Sequence, residues 1–327
     1  MFATILIILC GAIVFTSCNK EVVTPPSPKD YFPSWNQCDA LTALKAYVED
    51  VTDPKSSNYI NAEDRIATFD MDGTFLGELY PTYFEYNLIE YRVFDDPSYR
   101  DKAPEDVRQA AQDIRDFVRT GKALPDHFDM IHARAAAKAY AGMTLAEFDS
   151  FVKAYAATPA NGFTYYVVSG SDRFVCRTLV EPLGIPTNRI IGMDVWLKTN
   201  KQDEEPGVEY TMGKEEYLIR TDSLVLKNIK NNKVIQIGQE IGKVPVLSFG
   251  NSSGDCAMHN YCLSNKEHRT AVFMLVADDD VRDHADLTEG AKREAKWREA
   301  GYYVISMKND FKTIYGQGVT KTDFIFN

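Results

Sequence analysis

Asp70 and Asp72 stand two residues apart in Asp70-Met71-Asp72-Gly73-Thr74, directly after the apolar run RIATF at 65–69. A chain that leaves a strand into a glycine turn breaks the alternation of the pleat, so both carboxylates can face one cleft. One carboxylate can attack phosphorus and form an aspartyl-phosphate. Such an attack calls for charge neutralisation, which Mg²⁺ supplies through hard oxygen ligands. The other carboxylate can protonate the leaving oxygen and then deprotonate water. Taken alone, an acidic strand end is as readily a helix cap or a solvated turn.

Three further groups bear on the same chemistry. In Val167-Val168-Ser169-Gly170 a hydroxyl and a following glycine amide close an apolar run. Together they can bind phosphoryl oxygens, aided by the N-terminus of the next helix, although a plain helix cap also fits. Lys233 opens a helical stretch and can neutralise a nucleophile and a phosphoryl group, or be one surface lysine among many. Phe249-Gly250-Asn251-Ser252-Ser253-Gly254-Asp255 offers an amide oxygen and a carboxylate as metal ligands or supports. The histidines His127, His132, His259, His268 and His284 show no metal-ligand spacing.

These groups need a scaffold, and the apolar pattern supplies one. Strands are expected at 65–70, 163–168, 244–249, 271–276 and 302–307, with a possible hairpin from 189–197 and 208–212. Helices are expected at 171–183, 234–241 and 287–300. Leu41, Leu44, Val48 and Val51 open the fold with helical spacing. Between the first two strands the pattern is helical: Val107, Ala110, Ile114 and Phe117 form one stripe, and Thr144 with Glu147 forms a capping box. Apolar strands alternating with helices imply a doubly wound, mostly parallel α/β sheet with a helical cap inserted. Ligands bind beyond the carboxyl edge of such sheets, where Asp70, Ser169 and Asn251 all fall. The helical block would lie over that edge as a lid.

The chain has 327 residues and a formal net charge of -11, with no basic run, so no nucleic-acid footprint is present. Residues 1–17 are apolar and uncharged, a length suited to a signal h-region rather than a membrane span. Phe15-Thr16-Ser17-Cys18 resembles a bacterial lipobox, in which Cys18 becomes the lipidated first residue, although no Lys or Arg precedes the apolar run. An uncleaved anchor helix or a plain secretory signal is the alternative. Residues 18–33 then read as a Pro-rich tether. Of the remaining cysteines, Cys38, Cys176, Cys256 and Cys262, buried thiols are at least as fitting as bridges.

Taken in order, the four groups resemble the motifs of the haloacid dehalogenase superfamily. The likeness is strongest to a branch close to phosphoserine phosphatases with a helical cap after the first motif. It covers about residues 34–315, from Phe32-Pro33-Ser34-Trp35-Asn36 through RIATFDMDGTF, YYVVSGS, the Lys233…Ile237…Gly242 spacing and VLSFGNSSGD to VISMKNDFKTIY. The resemblance implies a Rossmann-like core at 34–77 and 159–327, and a cap at 78–158. By the same resemblance Asp70 is nucleophile and Mg²⁺ ligand, and Asp72 is general acid/base with its backbone carbonyl on the metal. Ser169 and the Gly170 amide hold the phosphoryl group, and Lys233 balances charge. Asn251 stands where many relatives carry a metal-binding Asp, so either Asn251 ligates as a neutral oxygen or Asp255 does so, directly or through water. Glu78 and Arg173 are weaker candidates for contact with substrate, a surface or capping role being the plainer reading of each.

The expected function is therefore Mg²⁺-dependent hydrolysis of a small phosphorylated metabolite by a lipid-anchored protein on the periplasmic face of a bacterial membrane. The alternatives are a non-catalytic lipoprotein that binds phosphorylated ligands or partners, and a phosphotransferase or phosphomutase.

Overall fold

The computed structural model describes residues 32, 34–74, 82–145, 147–148, 164–181 and 185–314. Met1–Ser17, Cys18 and Glu78 lie outside them. Among the described residues no helix is long and apolar enough to cross a membrane.

Seven strands form one sheet: β1 Ile66–Phe69, β2 Thr164–Asp172, β3 Ile190–Thr199, β4 Leu218–Leu226, β5 Leu247–Gly250, β6 Ala271–Val276 and β7 Tyr303–Ser306. Their order is β4-β3-β2-β1-β5-β6-β7. All neighbours are parallel except β4, which runs antiparallel to β3 at one edge. The helices of the core are α1 Asp39–Thr52, α5 Arg173–Val180, α6 Asn231–Glu240, α7 Cys256–Leu263, α8 Leu287–Glu299 and the single turn α9 Met307–Asp310. Helices α2 Phe84–Phe94, α3 Glu105–Thr120 and α4 Phe128–Ala139 fall between β1 and β2.

Strand β6 shows why the sheet is covered on both faces. All six of its residues are buried, as a central parallel strand requires. Phe273 and Leu275 join the cluster built with α1, α5 and helices α2–α4, whereas Val272, Met274 and Val276 join Trp297 of α8 and Cys262 of α7. Across β1, β5, β6 and β7 the first face carries a ladder of stacked rings. Phe69 and Phe249 lie 4.5 Å apart, Phe249 and Phe273 5.1 Å, and Phe273 and Tyr303 5.1 Å. Such cross-strand aromatic pairs fix register as well as burying area.

Helices α2, α3 and α4 pack on one another and share a continuous apolar cluster with the core. After α4 the chain lies along the free edge of β4. Gly142 N–H donates to Arg220 O at 2.7 Å, Arg220 N–H donates to Met143 O at 3.1 Å, and Thr144 bridges Ile219. The capping box closes reciprocally, Thr144 N–H on Glu147 Oε2 at 2.8 Å and Glu147 N–H on Thr144 Oγ1 at 3.0 Å. The insert thus protects the sheet edge that would otherwise offer unpaired groups.

Two sequence expectations need correction. The partner of β3 in the hairpin is Leu218–Leu226, with Asp194 opposite Leu226 and Thr199 opposite Leu218. Residues 208–212 lie in an exposed turn region instead, in which Val208 is 94% exposed. Turn hydrogen bonds from Glu205 N–H to Gln202 O and from Glu209 N–H to Pro206 O divert the chain there. Strand β2 also runs on to Asp172, and its helix starts at Arg173 rather than at 171, because a register shift after Val168 extends the strand. Cys38, Cys176, Cys256 and Cys262 are free thiols.

Candidate active site

The register determines which residues meet. Phe69 lies opposite both Val167 and Phe249, so Asp70 emerges beside the ends of β2 and β5. Its N–H donates to Phe249 O at 3.0 Å. Gly73, at φ 77°, supplies the left-handed turn that brings Asp72 back beside Asp70. A cavity of about 170 Å³ opens at this edge, lined by Asp70, Asp72, Gly170, Ser171, Lys227, Lys233, Asn251, Ser252 and Asp255 from the core. Tyr83, Glu85, Tyr86 and Asp129 line it from α2, α4 and the residue before α2. The insert therefore does form part of the wall over the carboxyl edge.

Lys233 sits in the first turn of α6 and is 2% exposed. Its Nζ donates to Asp70 Oδ1 at 2.5 Å and to Asp255 Oδ1 at 2.6 Å. The other oxygen of Asp255 accepts from Ser252 N–H at 2.9 Å, Ser252 Oγ at 3.0 Å and Asn251 N–H at 3.2 Å. Gly250 is required for this arrangement, since a Cβ there would lie 2.7 Å from Asp255 Cβ. With both oxygens committed, Asp255 orients Lys233 and shapes the loop, and it lines the cavity together with Asn251.

Asp72 Oδ2 accepts from Ser171 Oγ at 2.7 Å. Ser169 is fully buried behind this wall, its Oγ accepting from Ser171 N–H at 3.0 Å and its carbonyl accepting from Asn228 Nδ2 at 3.0 Å. Gly170 faces the cavity, and a Cβ on it would meet Ile229 Cγ2 at 2.8 Å. The loop after β4 is thus packed directly on the Ser169-Gly170 segment, and this sets Lys227 against the cavity.

Five carboxyls, of Asp70, Asp72, Glu85, Asp129 and Asp255, line this small volume together with the ammonium groups of Lys227 and Lys233. Burial first, then the charge of Asp255, pushes Asp70 up to about 8 in the metal-free protein, with Lys233 opposing. Burial raises Asp72 as well, moderated by the Ser171 hydroxyl and by Lys227. For Asp255 burial is outweighed by the Lys233 charge and by its hydrogen bonds, so it lies below the usual carboxylate range. Asp255, which accepts more hydrogen bonds, holds its charge more firmly than Asp70 does. Glu85 is pushed up to about 7, chiefly by burial.

Arg173 is not part of the cavity wall. Its Nε and Nη2 grip Asp194 at 2.7 and 2.6 Å and its Nη1 reaches Glu240 at 2.8 Å. A guanidinium saturated by two carboxylates has no fork left for a substrate anion. Glu78 falls outside the described residues. Sequence reasoning passed over Glu85, Lys227 and Ser171. Of these only Ser171 carried a signal, being two residues beyond Ser169 as Asp72 is beyond Asp70.

A buried pair joins β4 to β2 beside the point where Glu85 of the insert is anchored. Arg220 of β4 grips Asp172 through Nη2 at 2.6 Å and Nη1 at 3.3 Å. Asp172 also caps α5 by accepting from Phe174 N–H at 2.8 Å, and its own N–H donates to Glu85 Oε2 at 3.2 Å.

No protein-family model matches the chain, and no curated protein matches it. Among solved structures it is similar to cytosolic 5′-nucleotidase IIIB bound to cytidine. The identity is 11% over 84% of this chain and 89% of that one, with a TM-score of 0.44. It is also similar to a phosphoserine phosphohydrolase-like protein from Francisella tularensis subsp. tularensis SCHU S4, at 12% identity over 74% of this chain and 94% of that one, with a TM-score of 0.37.

Proposed function

We propose that the chain is a Mg²⁺-dependent phosphomonoester hydrolase that works through a phosphorylated Asp70. The observation that carries this reading is the buried Asp70–Lys233–Asp255 bridge with Asp72 on the same cavity. A protein that only bound phosphate esters would have no use for a second carboxyl beside the first.

The donor set suits Mg²⁺. Among the described residues no group of three His, Cys, Asp or Glu side chains is arranged to hold a metal ion. Mg²⁺ commonly takes one or two carboxylates and completes its shell with water and substrate phosphate. Asp70, Asp72 and Asn251 all line the one cavity and offer the hard oxygen donors that Mg²⁺ takes. Asp70, the Asp72 carbonyl and Asn251 would hold it, and when bound it neutralises charge on the phosphoryl oxygens.

The chain's own residues then act in turn. The oxygen of Asp70 not held by Lys233 attacks phosphorus, forming the Asp70–phosphorus bond as the ester oxygen leaves. Protonated Asp72 gives its proton to that leaving oxygen. Lys233 and the Gly170 N–H stabilise the phosphoryl oxygens, and the Ser169 and Ser171 hydroxyls hold Asp72 in place. Asp72 next takes a proton from water, whose oxygen displaces Asp70 and releases inorganic phosphate. The apolar first residues and Cys18 support an exported, lipid-anchored location on the periplasmic face, where releasing phosphate would make the remainder of an ester easier to import.

Phosphate release from a panel of phosphomonoesters, with and without Mg²⁺, tests the reading. Turnover that needs Mg²⁺ and vanishes in Asp70→Asn supports it. A folded, Mg²⁺-supplied chain that releases nothing from any ester removes it.

A further inference from the structure

Glu85 and Lys227 line the cavity wall and, like Asp129, have no part in the steps above. Glu85, from α2, is 3% exposed. Its Oε2 is held by Asp172 N–H, but its Oε1 has no hydrogen-bond partner among the described residues. The nearest ring nitrogen, His132 Nδ1, lies 3.9 Å from Oε1, beyond hydrogen-bond reach, and is itself without a partner there. A buried carboxylate oxygen left in this state costs free energy.

Lys227 faces the same cavity and is 8% exposed. Its loop is pinned on both sides, by Asn228 Nδ2 on Ser169 O at 3.0 Å and by Lys230 N–H on Gly254 O at 3.0 Å. Among the described residues no salt bridge joins Lys227 to Glu85. The cavity therefore has an acceptor on its α2 side and a donor on its core side, carried by two separately anchored elements.

The chemistry of what fits between them is restrictive. A hydroxyl accepts from Lys227 and donates to Glu85 at once. An ammonium only donates, and it meets the like charge of Lys227. A carboxylate only accepts, and it meets Glu85 and Asp129, both on the wall. A bare alkyl group would leave both polar groups desolvated and unpaired. Tyr86, beside Glu85 on α2, adds a ring surface against which a carbon skeleton can lie.

Resting on the phosphatase reading, we propose that the substrate is a phosphate monoester of a neutral polyhydroxy alcohol, a sugar or polyol phosphate, whose hydroxyls bridge Lys227 and Glu85. Hydrogen bonds of this kind reject analogues that lack the hydroxyl far more strongly than apolar contacts reject a missing methylene.

The test uses the full chain and two readouts. The first compares kcat/KM for ribose 5-phosphate and glycerol 3-phosphate with that for propyl phosphate, phosphoethanolamine, 3-phosphoglycerate and a nucleoside 5′-monophosphate. The second measures calorimetric binding of the same compounds to Asp70→Asn with Mg²⁺. The expected result is a preference of about 10-fold or more for the polyhydroxy esters in both readouts. Glu85→Gln and Lys227→Met should each reduce the ratio of polyol to alkyl ester to within about 3-fold. A binding preference without any turnover in the parent would remove the phosphatase reading and leave the polyol site standing. Equal treatment of all esters, or preference for the amine, the acid or the nucleotide, would overturn the inference.

Discussion

Lys233 Nζ stands between Asp70 and Asp255, 2.5 Å from one carboxylate and 2.6 Å from the other, with all three side chains buried. The two carboxylates come from loops after β1 and β5, which neighbour each other only because the parallel pairing brings their ends level. One ammonium on α6 therefore joins three elements and sets the charge of the nucleophile.

Replacing Lys233 by Met should leave Asp70 and Asp255 facing each other without a counter-charge. Breaking a buried pair in this way costs about 3–5 kcal/mol. Urea unfolding should report a loss of this size, and phosphate release should fall by about 100-fold or more. A variant within about 1 kcal/mol of the parent would mean that the bridge is not buried in solution.

Glu85→Gln makes a prediction whose sign depends on pH. Its folded value of about 7 lies above the ordinary 4.5. Between these limits the folded chain binds a proton that the unfolded chain has released, so Glu85 lowers stability as pH rises through that window. Gln keeps the shape and the acceptor for Asp172 N–H but has no proton to lose. In chelator-treated protein the variant should match the parent near pH 4, gain steadily above 4.5 and level off above 7. The final gain should be on the order of 3 kcal/mol. A gain independent of pH would rule out the titration of Glu85 as its cause.

Much of this was legible in the residues, and what was not has a physical reason. Strand β6 matches its apolar run residue for residue because a strand buried on both faces needs no alternation. The Thr144–Glu147 box was readable because capping is local. The hairpin partner was misread because Val208–Met212 carries apolar side chains in an exposed turn, while true β4 mixes Arg220, Thr221 and Asp222 with its aliphatics. Arg173 looked available only because its partners, Asp194 and Glu240, are distant in sequence. Glu85 and Lys227 gained their surroundings from tertiary closure of the insert on the core, which no local pattern encodes.

The Asp172–Arg220 pair should be more important to the insert than to the sheet. Arg220→Met leaves Asp172 buried and uncompensated beside the anchor point of Glu85. It also removes the guanidinium that lies over the Phe148 ring at 4.3 Å. We expect a loss of about 3–5 kcal/mol. Hydrogen exchange should speed up first in α2 and α4, with β5 and β6 still protected. Uniform loss of protection would mean that the insert and core unfold together.

Two glycines should respond oppositely to alanine. A Cβ on Gly192 would lie 2.6 Å from Arg173 Cα, a backbone contact that side-chain movement cannot relieve. Gly192→Ala should destabilise by about 2 kcal/mol or more. Gly238 lies inside α6 with nothing within 4 Å of the added carbon. Gly238→Ala should therefore stabilise by about 0.5–1 kcal/mol. Thermal midpoints of the two variants, measured side by side, check the close approach of α5 to β3.

Asn251 and Asp255 can be told apart as metal supports by exchanging their charges. Asn251→Asp adds a carboxylate to a wall already holding Asp70 and Asp72. Without metal the added charge is repelled, so the thermal midpoint should drop. With Mg²⁺ the same charge becomes a ligand, the midpoint should recover and half-saturating Mg²⁺ should fall by about 10-fold. Asp255→Asn should act differently, because its oxygens serve Lys233 and the Ser252 and Asn251 amides. It should lower stability with and without Mg²⁺ and leave the midpoint shift caused by the metal nearly unchanged. If instead Asp255→Asn abolished that shift and Asn251→Asp left it alone, Asp255 would be the ligand, and its bond to Lys233 would have to open when the metal binds.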